Sequence, residues 1–571
     1  MKPARKRAPF ALPDIAIRRD RDGTVHLRSR TPLDPHPETI VAHLDRWAAE
    51  TPDRPLVAER RGAGWREVSF AEAARASRGI AAALIERGTP SVMVLSENSV
   101  DQALLMLGAF RARVPFCPVS PAYSLLSRDF GKLKHIVGIV GPGLVLAEGG
   151  DRFARALAAV DFAGAEIVGD VAALAATAPG VLPEVSGDMT AKILFTSGST
   201  GTPKGVINTH RMLASNQAAL GQIWTCLAER PPVMLDWLPW SHTFGGNQNL
   251  GLAISYGGTL YIDDGRPTPE RIGRTVENLG LVAPTLHFNV PRGLDMLLPY
   301  LEADGTLRDR FFDRLDFVFY AGATLPLSLW RRVEALGLAA TGELPILTTC
   351  YGTTETAPMA LAAHLVLEGT GVVGVPVPGV EAKLVPAGDK LQIALRGPNI
   401  TPGYAGHPDL TADAFDAEGY FLTGDAVRLA DPVDPNAGIV FDGRLAEDFK
   451  LSTGTWVSVG ALRVAVIAAC GAAVSDVVVA GHDRDAVGLL VFAKPGASLE
   501  ALRDGLARHN AANPASSTRI ARALLLDTPP DVESGEITDK GYLNQRRILE
   551  RRADSVARLF SEPADAGVIV M

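Results

Sequence analysis

Short apolar runs alternate with helix-like segments along the chain from residue 36 onward. Residues 91–95 (SVMVL) read as a buried strand, followed by a helix over 99–111 and a short strand near Phe116. The same alternation recurs at 193–196, 233–238, 317–320 and 346–349. Alternating strands and helices predict an α/β fold with largely parallel sheets and helices on their faces. Such sheets bind ligands beyond the carboxyl ends of their strands, so the loops after the strands are the expected functional sites.

Three parts of the chain differ in pattern. Residues 1–35 are interpreted as a polar, loosely tethered leader, and residues 36–442 as a large N-terminal domain. The pattern restarts over 443–571 as a small α+β domain. Its expected elements are a helix over 462–469, strands over 477–480 and 489–493, and a helix over 499–510. The last segment, 546–559, predicts one strongly basic helix, interpreted as a solvated terminal helix with anion binding as the alternative.

Composition excludes several classes of protein. The net charge of −8 disfavours a broad nucleic-acid surface. The four cysteines lie far apart without a C-x-x-C pair, which argues against a disulfide framework and favours a reducing compartment. No apolar stretch reaches the roughly 18 residues that a membrane span needs. We therefore expect a cytoplasmic protein without a nucleic-acid partner or a membrane span.

The decapeptide TSGSTGTPKG over residues 196–205 directly follows one of the expected strands. Glycines allow a tight turn whose backbone N–H groups can face a ligand, and Lys204 adds a positive charge. Additional donors come from the hydroxyls of Thr196, Ser197, Ser199 and Thr200. Such a loop suits a polyphosphate, although the order of its residues does not match the Walker P-loop.

This decapeptide resembles the phosphate loop of the adenylate-forming superfamily, which includes acyl-CoA synthetases, luciferases and the adenylation domains of peptide synthetases. Further matching motifs follow in the order of that superfamily: PWSHTFG (239–245), YAGATLP (320–326), YGTTE (351–355), RGPNITPGY (396–404), TGD (423–425) and GR (443–444). The resemblance covers roughly residues 40–560. It implies a large N-terminal domain with a small β-barrel-like subdomain, a mobile C-terminal domain, and formation of an acyl-AMP from ATP and a carboxylic acid.

The matched motifs imply a nucleotide site. The residues expected to bind ATP or AMP are Thr196, Ser197, Gly198, Ser199, Thr200, Gly201, Lys204, Gly322, Ala323, Thr324, Tyr351, Gly352, Thr353, Thr354, Asp425 and Arg444. Tyr351 offers a flat face to adenine, Asp425 can accept both ribose hydroxyls, and the Arg444 guanidinium suits ribose or phosphate oxygens. Glu355, with Thr196, is the expected Mg²⁺ site, because magnesium takes few carboxylates and shares phosphate oxygens.

The C-terminal motifs imply a second, thioester-forming face and one departure from the pattern. Lys450 is expected to face pyrophosphate or CoA, Gly454 and Trp456 to line the CoA tunnel, and Ala446 to occupy the hinge. The superfamily's adenylation lysine follows a glycine, but here Glu536 follows Gly535. A carboxylate there would repel the phosphate, so we expect Lys540 to act instead. The alternative is a non-catalytic nucleotide-binding homologue.

The segments PWSHTFGGNQN (239–249), HFNVPRGLDMLLPYL (287–301), FKLSTGTWVSVGALR (449–463) and GEITDKGYLNQR (535–546) resemble those of bacterial feruloyl-CoA synthetases. The resemblance implies a hydroxycinnamic acid substrate such as ferulate. It places the acid at Trp237, His242, Phe244, Asn289, Gly322 and Tyr351, where His242 gates the pocket or steadies the carboxylate without being an essential base. Medium-chain fatty and aryl acids remain alternatives, as does transfer of the acyl-AMP to another acceptor. Expected ligands are ATP, Mg²⁺, CoA and a small carboxylic acid; the sequence leaves open whether the chain forms a homodimer.

Overall fold

The computed structural model describes residues 4–197, 202–531, 534–537 and 543–571. Within these ranges the strands form five sheets, three in the first 444 residues and two after them. The α/β fold expected from the alternation is confirmed, with mixed rather than mainly parallel sheets. Over the same ranges, every helix is too short or too polar to span a bilayer.

A six-stranded sheet carries the expected phosphate-loop strand. Its strands, in spatial order, are Pro203–Thr209, Thr190–Ser197, Phe116–Pro118, Val92–Val94, Leu144–Leu146 and Glu166–Val168. All neighbours are parallel except the first two, which form an antiparallel hairpin at one edge. The phosphate loop therefore joins two adjacent strands of one sheet instead of leading from a strand into a helix.

The largest sheet has eleven strands and combines a parallel part with an antiparallel part. In spatial order they are Ile15–Arg19, Val25–Ser29, Glu381–Ala387, Lys390–Arg396, Phe421–Leu429, Ile439–Arg444, Val372–Pro376, Met359–Ala362, Leu347–Gly352, Phe317–Tyr320 and Leu286–Asn289. The last three are parallel and the other neighbours antiparallel. Beyond Gly352, tight turns such as the one at Gly388 (φ 66°) replace crossover helices, which explains the antiparallel pairing.

The first 35 residues differ from the expected loosely tethered leader. Ile15–Arg19 and Val25–Ser29 form a hairpin whose second strand pairs with Glu381–Ala387. Leu27 is only 2% exposed. In the second strand, buried Val25 and Leu27 alternate with His26 and Arg28, so one face is buried although the segment is polar on average.

A four-stranded sheet and the helices complete the N-terminal part. The sheet runs Val233–Asp236, Thr259–Ile262, Pro55–Arg61 and Gly64–Ser69. Its helices are Val41–Glu50, Phe70–Glu86, Val100–Arg111, Ala122–Leu125, Gly131–Val140, Ala154–Ala159, Ala172–Ala175, His210–Ile223, Cys226–Glu229, Leu250–Ser255, Ile272–Leu279, Pro291–Ala303, Gly305–Asp313, Leu327–Thr341 and Pro408–Asp413, with a π-helix over Phe244–Asn249 and 3₁₀ turns at Gly150–Phe153, Thr354–Thr356 and Pro435–Ala437. The sequence Ser69-x-x-Glu72 predicts a capping box at the start of Phe70–Glu86, and the structure contains it, since each side chain accepts from the other residue's amide.

The C-terminal part has its own sheets and core. A hairpin pairs Phe449–Lys450 with Trp456–Val457, and a second sheet contains Val474–Ala480, Val487–Ala493, Ile520–Leu525 and Val568–Val570. The helices are Val459–Cys470, Leu499–Ala512, Gln545–Arg551 and Ala553–Leu559, with a 3₁₀ turn at Gly471–Ala473. The single basic helix expected over 546–559 is thus two helices, separated at Arg552, whose side chain turns inward to Glu536.

Lys390 connects the large sheet to the C-terminal part. Its ammonium donates to the carbonyl of Asp442 (2.8 Å), to Asp448 Oδ2 (2.5 Å) and to Ser458 Oγ (3.0 Å). The other oxygen of Asp448 accepts from the Val459 amide at the start of a helix (2.9 Å). In this arrangement one lysine spans the expected hinge at 444–446.

Candidate active site

Three of the expected nucleotide-binding residues, Tyr351, Asp425 and Arg444, lie in contact. The Tyr351 hydroxyl donates to Asp425 Oδ2 at 2.7 Å, and Arg444 Nε lies 3.5 Å from Asp425 Oδ1. Asp425 and Arg444 are paired across adjacent strands of the large sheet. Burial raises the pKa of Asp425, while the Arg444 charge and the Tyr351 hydroxyl act against that rise. The arrangement is a buried carboxylate with an aromatic ring and a guanidinium beside it.

The segment after Tyr351 makes a tight turn that only glycine permits at its start. A Cβ on Gly352 would lie 1.7 Å from the Pro358 carbonyl oxygen. Thr353 then caps the following turn by accepting from the Glu355 amide (3.2 Å), and the carbonyl of Thr354 accepts from Asn208 (3.3 Å). The turn holds Thr353, Thr354 and Glu355 in one fixed segment directly after the Tyr351 strand.

Glu355, the expected Mg²⁺ ligand, is tied to the phosphate-loop hairpin through Tyr404. The Tyr404 hydroxyl donates to Glu355 Oε1 at 3.0 Å, and Lys204 Nζ lies 5.4 Å from the centroid of the same ring. Backbone hydrogen bonds from Ala405 to Gly205 and from Ile207 to Gly403 hold the two segments together. The sequence motif contained Tyr404 but gave it no role.

The donor set at Glu355 fits magnesium held jointly with a nucleotide. One half-buried carboxylate is available, and among the described residues no group of three or more His, Cys, Asp or Glu side chains could hold a metal ion by itself. Magnesium typically takes one or two carboxylates and fills its remaining positions with phosphate oxygens and water. Glu355, with the Thr196 hydroxyl, would supply the protein's share.

The phosphate loop is described only at its two ends. Thr196 lies opposite Lys204, and Ser197 opposite Pro203, in the register of the antiparallel hairpin. The expected loop residues Gly198, Ser199, Thr200 and Gly201 lie outside the described residues. Thr196 and Lys204 are therefore brought to the same end of the hairpin, at the position where a bound polyphosphate is expected.

The expected adenine-side residues follow the strand Phe317–Tyr320. Gly322 has a positive φ of 86°, which turns the chain sharply after the strand. Gly322, Ala323 and Thr324 are all exposed. Since this strand is the direct neighbour of the Tyr351 strand, the loop lies at the same edge of the sheet as Tyr351.

The expected acid-binding residues divide into exposed and buried groups. Trp237 donates to Asn289 Oδ1 (3.3 Å), but Asn289 is 2% exposed and also contacts His287 and the Val290 amide. Phe244 is buried against Phe288 and Phe319. Asn289 is thus a buried hydrogen-bond acceptor for the Trp237 side chain, and the contact of Asn289 with a phenol stays a prediction.

His242 lies just before a π-helix whose glycines are required by close packing. Its Nδ1 accepts from the Phe244 amide (3.3 Å), and its carbonyl accepts from the Gly246 amide (2.8 Å). A Cβ on Gly245 or Gly246 would come within 2.4 or 2.3 Å of a backbone carbonyl oxygen. The sequence analysis missed Lys192, a buried lysine that contacts the π-helix. Its ammonium donates to the Gly246 carbonyl (2.8 Å).

The expected CoA-facing residues occur together in the C-terminal hairpin. Lys450 and Trp456 are paired across its strands, and the Lys450 ammonium lies 5.0 Å from the centre of the Trp456 ring. Gly454 has a φ of 80° in the connecting turn. Trp456 is 44% exposed. Lys540, the expected adenylation lysine, lies outside the described residues.

Two family models match the chain. A model described as AMP-binding enzyme covers residues 44–405, and one described as AMP-binding enzyme C-terminal domain covers residues 451–564. The first match includes Tyr351 and Glu355, and the second includes Gly454 and Trp456, whereas Asp425, Arg444 and Lys450 lie between the two matches.

Known proteins with similar sequences include enzymes of different overall activity. A carboxylic acid reductase of Segniliparus rugosus is 26% identical over 418 residues, which cover 66% of this chain but 33% of the reductase. The chain thus spans about a third of the length of the reductases it matches. Rice 4-coumarate–CoA ligase 5 (Oryza sativa subsp. japonica) is 26% identical over 550 residues, covering 90% of this chain and 96% of the ligase. The crystal structure of ATP-bound MatB from Rhodopseudomonas palustris has the same fold, with a TM-score of 0.72 at 22% identity, covering 91% of this chain and 99% of MatB.

Proposed function

The chain belongs to the AMP-binding enzyme family, and from this premise we propose that it is an ATP-dependent acid–CoA ligase that forms an acyl-AMP and then an acyl-CoA thioester. The observation that carries the proposal is the contact of Asp425 with Tyr351 and Arg444, a buried carboxylate placed to accept ribose hydroxyls. The near full-length similarity to a 4-coumarate–CoA ligase supports CoA as the acceptor.

In the first half-reaction, the substrate carboxylate attacks the α-phosphorus of ATP, and the bond to pyrophosphate breaks. Asp425 holds the ribose and Tyr351 the base, while Lys204 offsets charge on the phosphates. Mg²⁺, when bound at Glu355, supplies further positive charge to the phosphate oxygens. Catalysis consists mainly of positioning and of electrostatic stabilisation, and Lys540 is proposed to contribute the remaining cation.

In the second half-reaction, the CoA thiolate attacks the acyl carbonyl and AMP leaves with the electron pair of the acyl–phosphate bond. We assign the thiol's approach to the C-terminal hairpin, where Gly454 turns the chain and Trp456 presents an exposed ring. To bring this hairpin to the acyl-AMP, the C-terminal part must rotate near Ala446. The contact between Lys390 and Asp448 must break during that rotation.

The proposed acid is a hydroxycinnamate such as ferulate, on the resemblance of four segments to bacterial feruloyl-CoA synthetases. Trp237 supplies a flat wall for a planar acid, backed by the Arg266 guanidinium 5.9 Å from its ring centre. The alternative is that the acyl-AMP is passed to an acceptor other than CoA. The similarity to carboxylic acid reductases suggests it, because about a third of a reductase matches this chain. Medium-chain fatty or other aryl acids are the alternative substrates.

A substrate panel tests the proposal. The protein is incubated with ATP, Mg²⁺ and CoA and with ferulate, p-coumarate, benzoate or octanoate, while AMP and thioester are followed separately. We expect both products with ferulate and p-coumarate. AMP release without thioester would exclude CoA as acceptor, octanoate preference would exclude a hydroxycinnamate enzyme, and no product with any acid would exclude the ligase.

A variant pair links the activity to the nucleotide site. Asp425→Asn removes the charge that is expected to hold the ribose, and we expect the rate at limiting ATP to fall by about tenfold or more. Asp409→Asn makes the same chemical change at an exposed position and is expected to leave the rate unchanged. Equal rates in the two variants would contradict the assigned role of Asp425.

A further inference from the structure

Two buried side chains of the phosphate-loop hairpin contact the π-helix over Phe244–Asn249. The Lys192 ammonium donates to the Gly246 carbonyl at 2.8 Å. The Asn208 side chain contacts the next residue, because its Oδ1 accepts from Asn247 Nδ2 at 2.7 Å. Lys192 and Asn208 lie directly opposite each other in the antiparallel register, so their side chains leave the same face of the hairpin. Together they attach the π-helix to the hairpin.

The same Asn208 amide also contacts the nucleotide side of the site. Its Nδ2 donates to the Thr354 carbonyl at 3.3 Å, within the turn that holds Thr354 and Glu355. One side chain thus joins two segments, with its oxygen on the π-helix and its nitrogen on the turn. Asn208 is 0% exposed, so water cannot replace either partner. Turning the amide over would bring two donors together at one end and two acceptors at the other, so the two contacts fix its orientation.

The hydrogen bonds continue along the acid side. Asn247 Nδ2 donates to the Thr243 hydroxyl at 3.0 Å as well as to Asn208. Thr243 directly precedes Phe244, one of the residues expected to bind the acid. Buried hydrogen-bonded groups therefore form a continuous chain from the Thr354 carbonyl, through Asn208 and Asn247, to the segment expected to line the acid pocket.

Adenylation is the step that depends most on such a link. Before the attack on the α-phosphorus, no bond joins the acid to ATP, so only the protein sets their relative position. A misplacement of about 1 Å can cost about a hundredfold in rate. Once the acyl-AMP has formed, its own covalent bond holds the acyl group and the phosphate together. The second half-reaction therefore depends less on a contact between the two binding segments.

Asn216, on the helix that follows the hairpin, provides a matched comparison. It is 1% exposed, and its Nδ2 donates to the Met359 carbonyl at 2.7 Å. Among the described residues, no donor lies within hydrogen-bond distance of its Oδ1. Asn216 thus makes the same kind of buried contact as Asn208 makes with Thr354, but it does not join the π-helix to the nucleotide turn.

We propose that Asn208 is a positioning residue for the adenylation half-reaction: it holds the π-helix beside the acid in a fixed position relative to the turn that carries Thr354 and Glu355. Lys192 supports the same arrangement through the second contact between the hairpin and the π-helix. The inference rests on the proposed function, because that function assigns the acid to one of the joined segments and the nucleotide to the other.

The test measures the two half-reactions separately in Asn208→Ala, with Asn216→Ala as the matched control. Adenylation is measured as acid-dependent exchange of pyrophosphate into ATP, with the acid that the unaltered protein uses. Thioester formation is measured from synthetic acyl-AMP and CoA, which bypasses adenylation. We expect Asn208→Ala to lower the kcat of exchange at least about tenfold relative to the control. The KM values for ATP and for the acid, and the rate of thioester formation, are each expected to stay within about threefold.

Three results would overturn the inference: exchange within about twofold of the control, an equal fall in both half-reactions, or a loss confined to the KM of one substrate. The second would mean that Asn208 only stabilises the fold, and the third that it serves one substrate's site alone. Lys192→Met removes the other contact with the π-helix and is used if Asn208→Ala does not fold. It is expected to lower exchange selectively in the same way, and an unchanged rate would equally overturn the inference. If the unaltered protein catalyses neither half-reaction with any acid, the proposed function fails and this inference falls with it, whereas activity that is insensitive to Asn208 refutes only this inference.

Discussion

Replacing Tyr351 with phenylalanine removes a single hydroxyl from the proposed nucleotide site. That hydroxyl donates to Asp425 Oδ2 at 2.7 Å, while the carboxylate's other oxygen is 3.5 Å from Arg444 Nε. The ring, and with it the face expected to contact adenine, is retained in Tyr351→Phe. Any change in nucleotide binding therefore reports on the carboxylate rather than on stacking.

The magnitude follows from the burial of Asp425, which is 5% exposed. A hydrogen bond to a charged group contributes about 1.5–3 kcal/mol, and water cannot replace the lost donor at so buried a site. The ionised carboxylate relieves the loss by taking up a proton or by turning toward Arg444, and either change removes it from the state that accepts ribose hydroxyls. Since about 1.4 kcal/mol corresponds to tenfold in affinity, we expect AMP to bind at least about tenfold more weakly.

The pH dependence of AMP binding provides a second test of the contact between Tyr351 and Asp425. Burial raises the pKa of Asp425, and the Arg444 charge and Tyr351 hydroxyl hold it down. Without the hydroxyl the pKa rises further, so the loss of AMP affinity on acidification begins at a higher pH in Tyr351→Phe. Calorimetric titration with AMP from about pH 5 to 8 measures both effects.

Tyr256→Phe is the matched control, because it deletes a hydroxyl that donates to a neutral acceptor, the Gln217 carbonyl (2.6 Å). It is expected to affect stability without affecting AMP binding or its pH profile. If Tyr351→Phe and Tyr256→Phe bind AMP equally well at every pH, the assignment of Asp425 to the ribose is wrong.

Three further predictions concern the surroundings of the site. Tyr404→Phe removes the donor to Glu355 Oε1 and is expected to raise the Mg²⁺ concentration for half-maximal pyrophosphate exchange by up to about tenfold, while AMP binding without Mg²⁺ stays unchanged; an unchanged Mg²⁺ requirement would contradict the role of this contact. Gly352→Ala is expected to destabilise the protein by about 1–3 kcal/mol in urea unfolding, because the new Cβ meets a carbonyl oxygen, whereas Gly138→Ala, in open space on a helix, is expected to stabilise it by about 0.5–1 kcal/mol. Burial lowers the pKa of Lys192 from 10.5 to about 7, so between these pH values the unfolded chain binds more protons than the folded protein. The free energy of unfolding, relative to that of Lys192→Met, should therefore rise with pH by at most about 1.4 kcal/mol per pH unit. If the difference in unfolding free energy between the two proteins does not change with pH, the lowered pKa of Lys192 is wrong.

Local rules predicted much of the fold because they depend on neighbouring residues. The capping box at Ser69 needs only Glu72, three residues on, and the strand Phe317–Tyr320 is a bounded apolar run. The hairpin over residues 15–29 was missed, because its burial depends on pairing with a strand more than 350 residues away. Averaged polarity cannot show which face of a strand has a partner.

The sequence predicted site residues that belong to a recognisable motif. It did not predict contacts between residues that are distant in the sequence. The TGD and YGTTE motifs indicated Asp425 and Tyr351 separately, but not that one donates to the other. Glu536 appeared as an obstacle to catalysis, because its charge was visible in the sequence and its partner, Arg552, was not. A side chain's effect on a site depends on where it points, which long-range packing decides.

The π-helix over Phe244–Asn249 has a consequence for how the acid side of this enzyme can change. A π-helical turn holds about one residue more than an α-helical turn, and each residue in an α-helix advances by about 100°. Deleting one residue here would turn the π-helical turn into an α-helical one, and the side chains on either side, including that of His242, would keep their directions. A change of chain length at this place would therefore alter only the side chains inside the turn, among them Phe244, and would leave the rest of the fold in register.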